Sequence, residues 1–126
     1  MRSEHLTIKK ITANGTSISV VTSDAVCISD GQTALDFFMS MYYETGDHYI
    51  VINKDALTEA FFVLSTKVAG DILQKMINYR FKLAVVGDFL GYTSKPLKDF
   101  IYESNQGKDI FFVSTVDEAV ERLSKV

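Results

Sequence analysis

Short runs of uniformly apolar residues alternate along this chain with longer stretches in which apolar residues recur every three or four positions. The short runs are 49–52, 83–86 and 110–113, and none of them alternates between apolar and polar positions. A strand covered on both faces has this pattern, whereas a strand with one solvated face alternates. The three runs therefore predict buried, mostly parallel strands.

The beginning of the chain has a different pattern. Apolar positions alternate with polar ones in two runs, 6–11 and 18–21, which flank the pair Asn14-Gly15. Asn and Gly adopt positive φ at low cost, and such a pair between two alternating runs is typical of a tight hairpin. We therefore expect an antiparallel hairpin at the start of the domain.

Four later segments have the spacing of amphipathic helices. The first follows Asp30, a helix-capping residue type, and ends at Gly46. The last follows Thr115, which has the spacing of a capping box with Glu118 three residues later. The expected core faces are Ala34, Phe37, Phe38 and Met41; Val68, Ala69, Ile72, Leu73, Met76 and Tyr79; Leu97, Phe100, Ile101 and Ser104; and Val116, Ala119, Val120 and Leu123.

The resulting order of elements is β-β-α-β-α-β-α-β-α. Strands that alternate with helices require crossover connections and a parallel sheet, to which the hairpin adds an antiparallel edge. We predict a single α/β domain over residues 1–126, with a mixed, mostly parallel five-stranded sheet, an N-terminal antiparallel hairpin and four to five helices. A short turn of helix is expected within 57–62. The sequence does not indicate which face of the sheet each helix covers.

Composition narrows the class of protein. The chain has 126 residues, a net charge of −3 and scattered Lys and Arg, which argues against a nucleic-acid partner. Cys27 is the only cysteine, so an internal disulfide is excluded, and we interpret it as a small buried hydrophobe rather than a reactive thiol. With no apolar signal or membrane-length segment, we expect a bacterial-type cytoplasmic protein without membrane partners.

A polar segment follows the strand at 83–86, and it has more hydrogen-bond donors than a helix cap needs. Ser94 and Pro96 are typical of a helix start. The hydroxyls of residues 92–94 and the Lys95 ammonium could together bind an anion. Without GxxxxGK[ST] or GxGxxG, a nucleotide or phosphorylated metabolite would bind without a glycine-rich loop. The candidate residues for a ligand or partner are Asp88, Tyr92, Thr93, Ser94 and Lys95, with Arg80 and Asn105.

Other kinds of site have weaker support. Asp24, Asp55 and Asp88 each follow a strand or near-strand and could hold Mg²⁺ at one edge of the sheet, but turn formation explains each of them more simply. His5 and His48 have no neighbouring serine, and metal-ligand spacing of His and Cys is absent. We therefore expect no catalytic residues, no bound metal and no cofactor.

A longer string carries a resemblance. The segment LAVVGDFLGYTSKPLKDFIYESNQGKDIFFVS, with AGDILQKMINYR before it, resembles an uncharacterised bacterial family known as domain of unknown function 4180. The resemblance spans nearly the whole chain, and the string VGDF…YTSK…DFI.ESN is specific to it. This resemblance implies no particular activity.

The order of elements is also similar to the STAS domain, the fold of anti-sigma-factor antagonists and of the cytoplasmic tails of sulphate transporters. That resemblance implies a protein-binding switch in which a serine at the start of the second helix is phosphorylated. Ser65 and Thr66 match the hydroxyl pair of its Asp-Ser-Ser/Thr-Gly motif, while Leu64 replaces the acid and Lys67 replaces the glycine. A phosphate on Ser65 would lie at a helix N-terminus, although simple capping by either hydroxyl explains the pair as well.

Together these observations lead to a hypothesis of a non-enzymatic regulatory or protein-interaction domain of STAS type. We expect the start of the 68–80 helix and the 88–95 loop to face a protein partner. Aromatic residues near turns are further candidates for contact surface, namely Phe61, Phe62, Phe89, Tyr42 and Tyr43. Self-association through the edge of the hairpin, giving a homodimer, is a third possibility. Binding of a small molecule or anion by the 88–95 loop is the alternative function.

Overall fold

One mixed sheet of five strands organises the computed structural model, which describes residues 6–126. The strands are β1 (Leu6–Ala13), β2 (Thr16–Ser23), β3 (Tyr49–Asn53), β4 (Lys82–Val86) and β5 (Ile110–Val113). They lie side by side in chain order, with β1 antiparallel to β2 and every later neighbour parallel. The predicted fold class, a mixed and mostly parallel five-stranded sheet with an N-terminal hairpin, is confirmed.

Four α-helices connect or follow the strands. They are α1 (Gly31–Thr45), α2 (Val68–Asn78), α3 (Lys95–Gln106) and α4 (Val116–Leu123). The segment between β3 and α2, expected to hold one short turn of helix, contains three 3₁₀ turns: Lys54–Ala56, Glu59–Phe62 and Leu64–Thr66. No helix among residues 6–126 has the length and hydrophobicity needed to cross a membrane.

The hairpin forms where the Asn-Gly pair predicts it. Asn14 and Gly15 both have positive φ, 51° and 76°, and Ala13 pairs with Thr16 across the turn. From this turn the register continues without a bulge to Leu6 opposite Ser23. The hairpin places β1 at one edge of the sheet, and β5 forms the other edge.

The helices are divided unequally between the two faces of the sheet. The larger core lies under α1, α2 and α3 and includes Phe38, Ile52, Ile72, Val85 and Leu97. The smaller core lies under α4 alone and contains Ile18, Val20, Val51, Ala84, Phe111, Val113, Ala119 and Leu123. The side chains of each parallel strand alternate between these cores, so the apolar runs are covered on both faces as predicted.

The strand order explains this division. Every βαβ crossover from β2 to β5 moves one strand in the same direction, and such crossovers are right-handed, so their helices share one face. Because the direction never reverses, the parallel strands have no point at which neighbouring loops diverge to opposite faces. Any open space at the carboxyl ends of the strands must therefore lie at the edge of the sheet.

Several side chains differ from their predicted environment. Tyr79 was expected in the core, but α2 ends at Asn78 and leaves this ring 47% exposed. Val116, in the first turn of α4, is 38% exposed. Phe61 and Phe62, predicted as contact surface, are buried, because the 3₁₀ turns fold their rings under α3.

Candidate functional site

The loop between β4 and α3 is held to the body of the domain by two aromatic rings. The ring of Tyr92 stacks on Phe62 with 4.9 Å between centroids, and Phe89 meets the edge of Phe112 at 5.5 Å. Offset and edge-on ring pairs of this kind stabilise beyond the area that they bury. The two rings therefore fix the loop at both ends, although the residues between them are largely solvated.

Lys54 and Glu59 complete this attachment. The Lys54 ammonium lies 4.9 Å from the centre of the Tyr92 ring and 3.5 Å from Glu59, and the Tyr92 hydroxyl donates to Glu59 Oε1 at 2.9 Å. The neighbouring Tyr92 hydroxyl raises the pKa of Lys54, and partial burial raises the pKa of Tyr92. At neutral pH, Lys54 is therefore charged and Tyr92 is a neutral donor, not a base. Gly87 leaves room for Lys54, since a Cβ there would lie 2.7 Å from the Lys54 Cβ.

A groove of about 960 Å³ opens beside this loop at the end of β5. Its floor is formed by Phe112, Val113 and Ser114, one wall by α3 and another by the first turn of α4. The wall from α3 consists of residues at i, i+3, i+4 and i+7, which share one helical face: Lys98, Ile101, Tyr102 and Asn105. The remaining lining residues are Gly87, Asp88, Phe89, Leu90, Tyr92 and Glu118.

Two large apolar side chains line this groove without being covered. Leu90 is 91% exposed and Tyr102 is 67% exposed. Scattered exposed apolar residues are ordinary, but two of them in one concave surface form a patch of the kind found at protein contacts. Leu90 and Tyr102 therefore form an exposed apolar patch within the groove.

Three of the polar residues predicted for the 88–95 loop form hydrogen bonds or an ion pair within the loop or with the start of α3. Asp88 Oδ1 accepts from the Leu90 N–H at 3.0 Å, which closes a turn. Ser94 caps α3 by accepting from the Leu97 amide at 3.4 Å, as its position before Pro96 predicts. Lys95 pairs with Asp99 at 2.7 Å, and this carboxylate raises the pKa of Lys95. Thr93 is exposed.

Asn105 and Arg80 differ in their position relative to that loop, since Asn105 lines the groove with Asp88 and Tyr92 and Arg80 does not. The side chain of Asn105 donates to the Phe112 carbonyl at 3.1 Å and accepts from the Phe112 N–H at 2.8 Å, so it is occupied by the edge of β5. Arg80 precedes β4, at the opposite end of the strand from the 88–95 loop. Of the seven candidate residues, Asp88, Tyr92 and Asn105 line one groove, whereas Arg80 lies away from it.

The hydroxyl pair before α2 has mixed roles. The N-cap residue of α2 is Lys67, whose φ of 67° is a conformation that glycine adopts most easily. Thr66 accepts from the Val68 amide at 3.3 Å and lies 2.7 Å from the carbonyls of Ala60 and Val63. Ser65 is exposed and makes no hydrogen bond with another described residue. Thr66 is thus structural, and Ser65 is the accessible hydroxyl.

The remaining candidates for chemistry do not assemble. Asp24, Asp55 and Asp88 are all exposed, and residues 6–126 contain no group of three or more His, Cys, Asp or Glu side chains placed to hold a metal ion. Partial burial raises the pKa of Cys27, which keeps its thiol protonated and unreactive. His48 packs between Tyr42 and Phe81, with ring centroids 4.5 and 4.9 Å away, and His5 lies outside the described residues.

Sequence reasoning missed several residues of the groove and its attachment. Leu90 had a usable signal, because a leucine between Asp88 and Gly91 is not required by a turn. Lys98 and Tyr102 have the helical spacing of a second face of α3, which adjoins the predicted core face at Ile101. Lys54 and Glu59 gave no signal, since their contact with Tyr92 joins segments about 35 residues apart along the chain.

Comparison with known protein families gives a match. No curated protein matches the chain. The model of one protein family, described as a domain of unknown function, matches residues 13–123, which includes every strand from β2 onward, all four helices and the whole groove. The chain therefore belongs to the family of the domain of unknown function DUF4180.

Proposed function

We propose that this chain is a non-enzymatic protein-interaction domain that binds a protein through the groove between the 88–92 loop and α3. The observation that supports this function most directly is the exposure of Leu90 and Tyr102, 91% and 67%, within one concave surface. Tyrosine is enriched among the few residues that supply most of the binding free energy at protein interfaces, and Leu90 adds apolar area beside it. The two anchors lie on different elements, so a bound surface would contact both the loop and the helix.

The polar groups near the groove favour a protein over a small molecule. Specific small-molecule sites are enclosed and present a few convergent polar groups that orient the ligand. Here Asn105 is bound to Phe112, Ser94 to the start of α3, and Lys95 to Asp99. The groove is left with an apolar surface flanked by the charged side chains of Lys98 and Glu118, which suits a protein contact with an apolar centre and a polar rim.

Site-specific photo-crosslinking in cells tests this function. A photoreactive phenylalanine analogue replaces Tyr102 in one variant and Tyr79 in another, because Tyr79 is 47% exposed after α2 and does not line the groove. We expect one discrete protein adduct from position 102, and we expect Leu90→Ala in the same chain to reduce its yield. Equal adduct yields from both positions, or a yield that Leu90→Ala does not change, would contradict the proposal.

Binding of a phosphorylated metabolite or nucleotide by the 88–95 loop predicts a different result. A specific ligand at about a hundred times its dissociation constant stabilises a folded protein by about 2.7 kcal/mol. A thermal-shift panel of such compounds against the parent chain and Lys95→Ala measures this effect directly. A compound that stabilises the parent but not the variant would replace the protein-interaction function, and a panel without hits removes the alternative.

A phosphorylation switch at Ser65 is a second candidate, supported by the left-handed conformation of Lys67. The glycine of the STAS motif corresponds to Lys67. The φ of Lys67 is 67°, a left-handed conformation that glycine adopts at the lowest cost. Phosphoserine at position 65, introduced during translation, is expected to alter the crosslinking yield at Tyr102, since Phe62 and Glu59 join this segment to the loop. Phosphoserine at Ser17, an exposed serine in the hairpin far from this segment along the chain, is the matched control. An unchanged yield would eliminate the switch.

A further inference from the structure

We infer that the surface bound in this groove belongs to a second copy of the chain, so that the groove is the contact of a twofold-symmetric dimer. This inference rests on the proposed protein-interaction function and names its partner. A twofold interface uses the same patch on both copies, so each feature of the patch must meet its complement on the other copy. The groove has such complementary features in shape and in charge.

The shape requirement is met by Leu90 and the hollow beside it. Leu90 projects from the loop with 91% of its surface exposed, and the hollow is lined by Phe89, Ile101 and Phe112. A projection and an apolar hollow that lie next to each other on one surface can be exchanged between two copies. Each Leu90 then fills the hollow of the other molecule, and both are removed from water.

The charge requirement is met by Lys98 and Glu118. Lys98 on α3 is exposed and forms no ion pair within residues 6–126, while Glu118 lies in the first turn of α4, across the floor of the same groove. A twofold axis that brings Lys98 of one copy to Glu118 of the other forms this pair twice. A partner of one charge sign would be repelled by one of the two walls.

Addition of a strand at either edge of the sheet is less favourable. At the β5 edge, Asn105 already satisfies the N–H and carbonyl of Phe112, and Glu118 Oε1 accepts from the Ser114 amide at 3.3 Å. At the β1 edge, predicted above as a site of self-association, exposed Lys9 places a charge at the middle of the strand. Edge lysines oppose pairing of strands between molecules. The contact must therefore use side chains, as the groove does.

Sedimentation equilibrium across a range of concentrations provides the first test. The wild-type chain is expected to dimerise, and Leu90→Asp is expected to raise the dissociation constant by about tenfold or more. Ile77→Asp changes an exposed apolar residue on α2, away from the groove, and is expected to leave the dissociation constant unchanged. Circular dichroism and a thermal melt confirm that each variant folds.

Charge reversal provides a test that only a twofold contact can pass. Lys98→Glu and Glu118→Lys are each expected to weaken self-association, because each homodimer then faces like charges twice. A mixture of the two variants is expected to form a heterodimer, because both of its pairs join opposite charges. Lys9→Glu, on the β1 edge, is the control and is expected to dimerise like the wild type.

The outcomes separate this inference from the function on which it rests. A wild-type chain that stays monomeric up to its solubility limit overturns the dimer, and so does a dimer that is indifferent to Leu90→Asp. If Tyr102 then still crosslinks to a different protein in a manner that depends on Leu90, the protein-interaction function stands without the dimer. Loss of both the dimer and that crosslink overturns both.

Discussion

The carboxylate of Asp71, in the first turn of α2, accepts a hydrogen bond from the backbone N–H of Gly31, in the first turn of α1, at 2.9 Å. A carboxylate at a helix N-terminus is stabilised by the free amides and by the helix dipole, and Asp71 lies at two such ends. The contact leaves no room for a side chain at position 31, since a Cβ on Gly31 would clash with Asp71 Oδ2. Two helices that are adjacent on the sheet are thereby joined at their beginnings.

Replacement of Gly31 by alanine is therefore expected to destabilise the fold by about 1–2 kcal/mol, mainly through loss of the hydrogen bond to a charged acceptor. The measurement is urea denaturation of Gly31→Ala, Asp71→Ala and the double variant. Because the clash requires the Asp71 carboxylate, Gly31→Ala should cost much less when Asp71 is already alanine. Additive effects of the two substitutions would contradict this coupling.

Tyr92 is expected to hold the 88–95 loop mainly through its ring. Tyr92→Phe removes the hydrogen bond to Glu59 but keeps the stacking on Phe62 and should cost about 0.5–1 kcal/mol. Tyr92→Ala removes the ring as well and should cost about 2 kcal/mol, less than a fully buried ring because Tyr92 is half-buried. Urea denaturation gives both values, and limited proteolysis should show faster cleavage near Leu90 in the alanine variant only.

Asn105 is expected to be a stability residue rather than a binding residue. Asn105→Ala leaves the Phe112 N–H and carbonyl without their partner at the edge of β5, which should cost about 2 kcal/mol. Hydrogen exchange of the Phe112 amide should become faster in this variant. Gln106→Ala, at an exposed neighbouring position of α3, is the control and should have little effect. An unchanged stability of Asn105→Ala would contradict this structural role.

The cap of α1 predicts a pH dependence of stability. The Thr33 amide and hydroxyl both donate to the Asp30 carboxylate and hold its pKa below the usual range. A lowered pKa in the folded state means that the charged cap stabilises the fold above the unfolded pKa of about 3.9. This contribution is lost as the pH falls through the lower pKa of the folded state.

The measurement compares urea midpoints of the wild type and Asp30→Asn between neutral and acidic pH. Asparagine also caps helices but does not titrate, so the advantage of the wild type over Asp30→Asn should shrink as the pH falls. Ser29→Ala, which leaves the carboxylate in place, should keep the pH dependence of the wild type. A difference between wild type and Asp30→Asn that stays constant with pH would show that the charge of Asp30 is not involved.

The sequence was sufficient for the elements of the fold because their signals are local. The Asn14-Gly15 pair specifies a hairpin through the φ values that these residues accept, and Asp30 begins α1 through bonds to residues within one turn. The limits of local signals appear at α2 and in the 3₁₀ turns. Tyr79 fits the apolar spacing of α2, but the helix ends before it, at Asn78. Phe61 and Phe62 lie in a segment without regular apolar spacing, so their burial could not be predicted from the sequence.

The candidate site was predictable only in part. The sequence indicated that the loop after β4 would be prominent, and Ser94 was recognised as the cap of α3. It also grouped Arg80 and Asn105 with that loop: Asn105 lines the groove with Asp88 and Tyr92, whereas Arg80 lies at the opposite end of β4. The sequence did not indicate this difference, because the direction of a side chain depends on neighbours that are distant along the chain.

By itself, the sequence determined the strands, the helices, the N-caps of α1, α3 and α4 and the mixed sheet, since each depends on backbone preferences and on a hydrophobic period within a few residues. Only the tertiary structure decided that α1, α2 and α3 share one face while α4 covers the other, because strand order is set by packing between distant segments. The same packing brought Lys54 and Phe62 onto Tyr92 and placed Leu90 and Tyr102 on one groove. Contacts of that kind arise from the burial of apolar area across the whole domain, which no local pattern encodes.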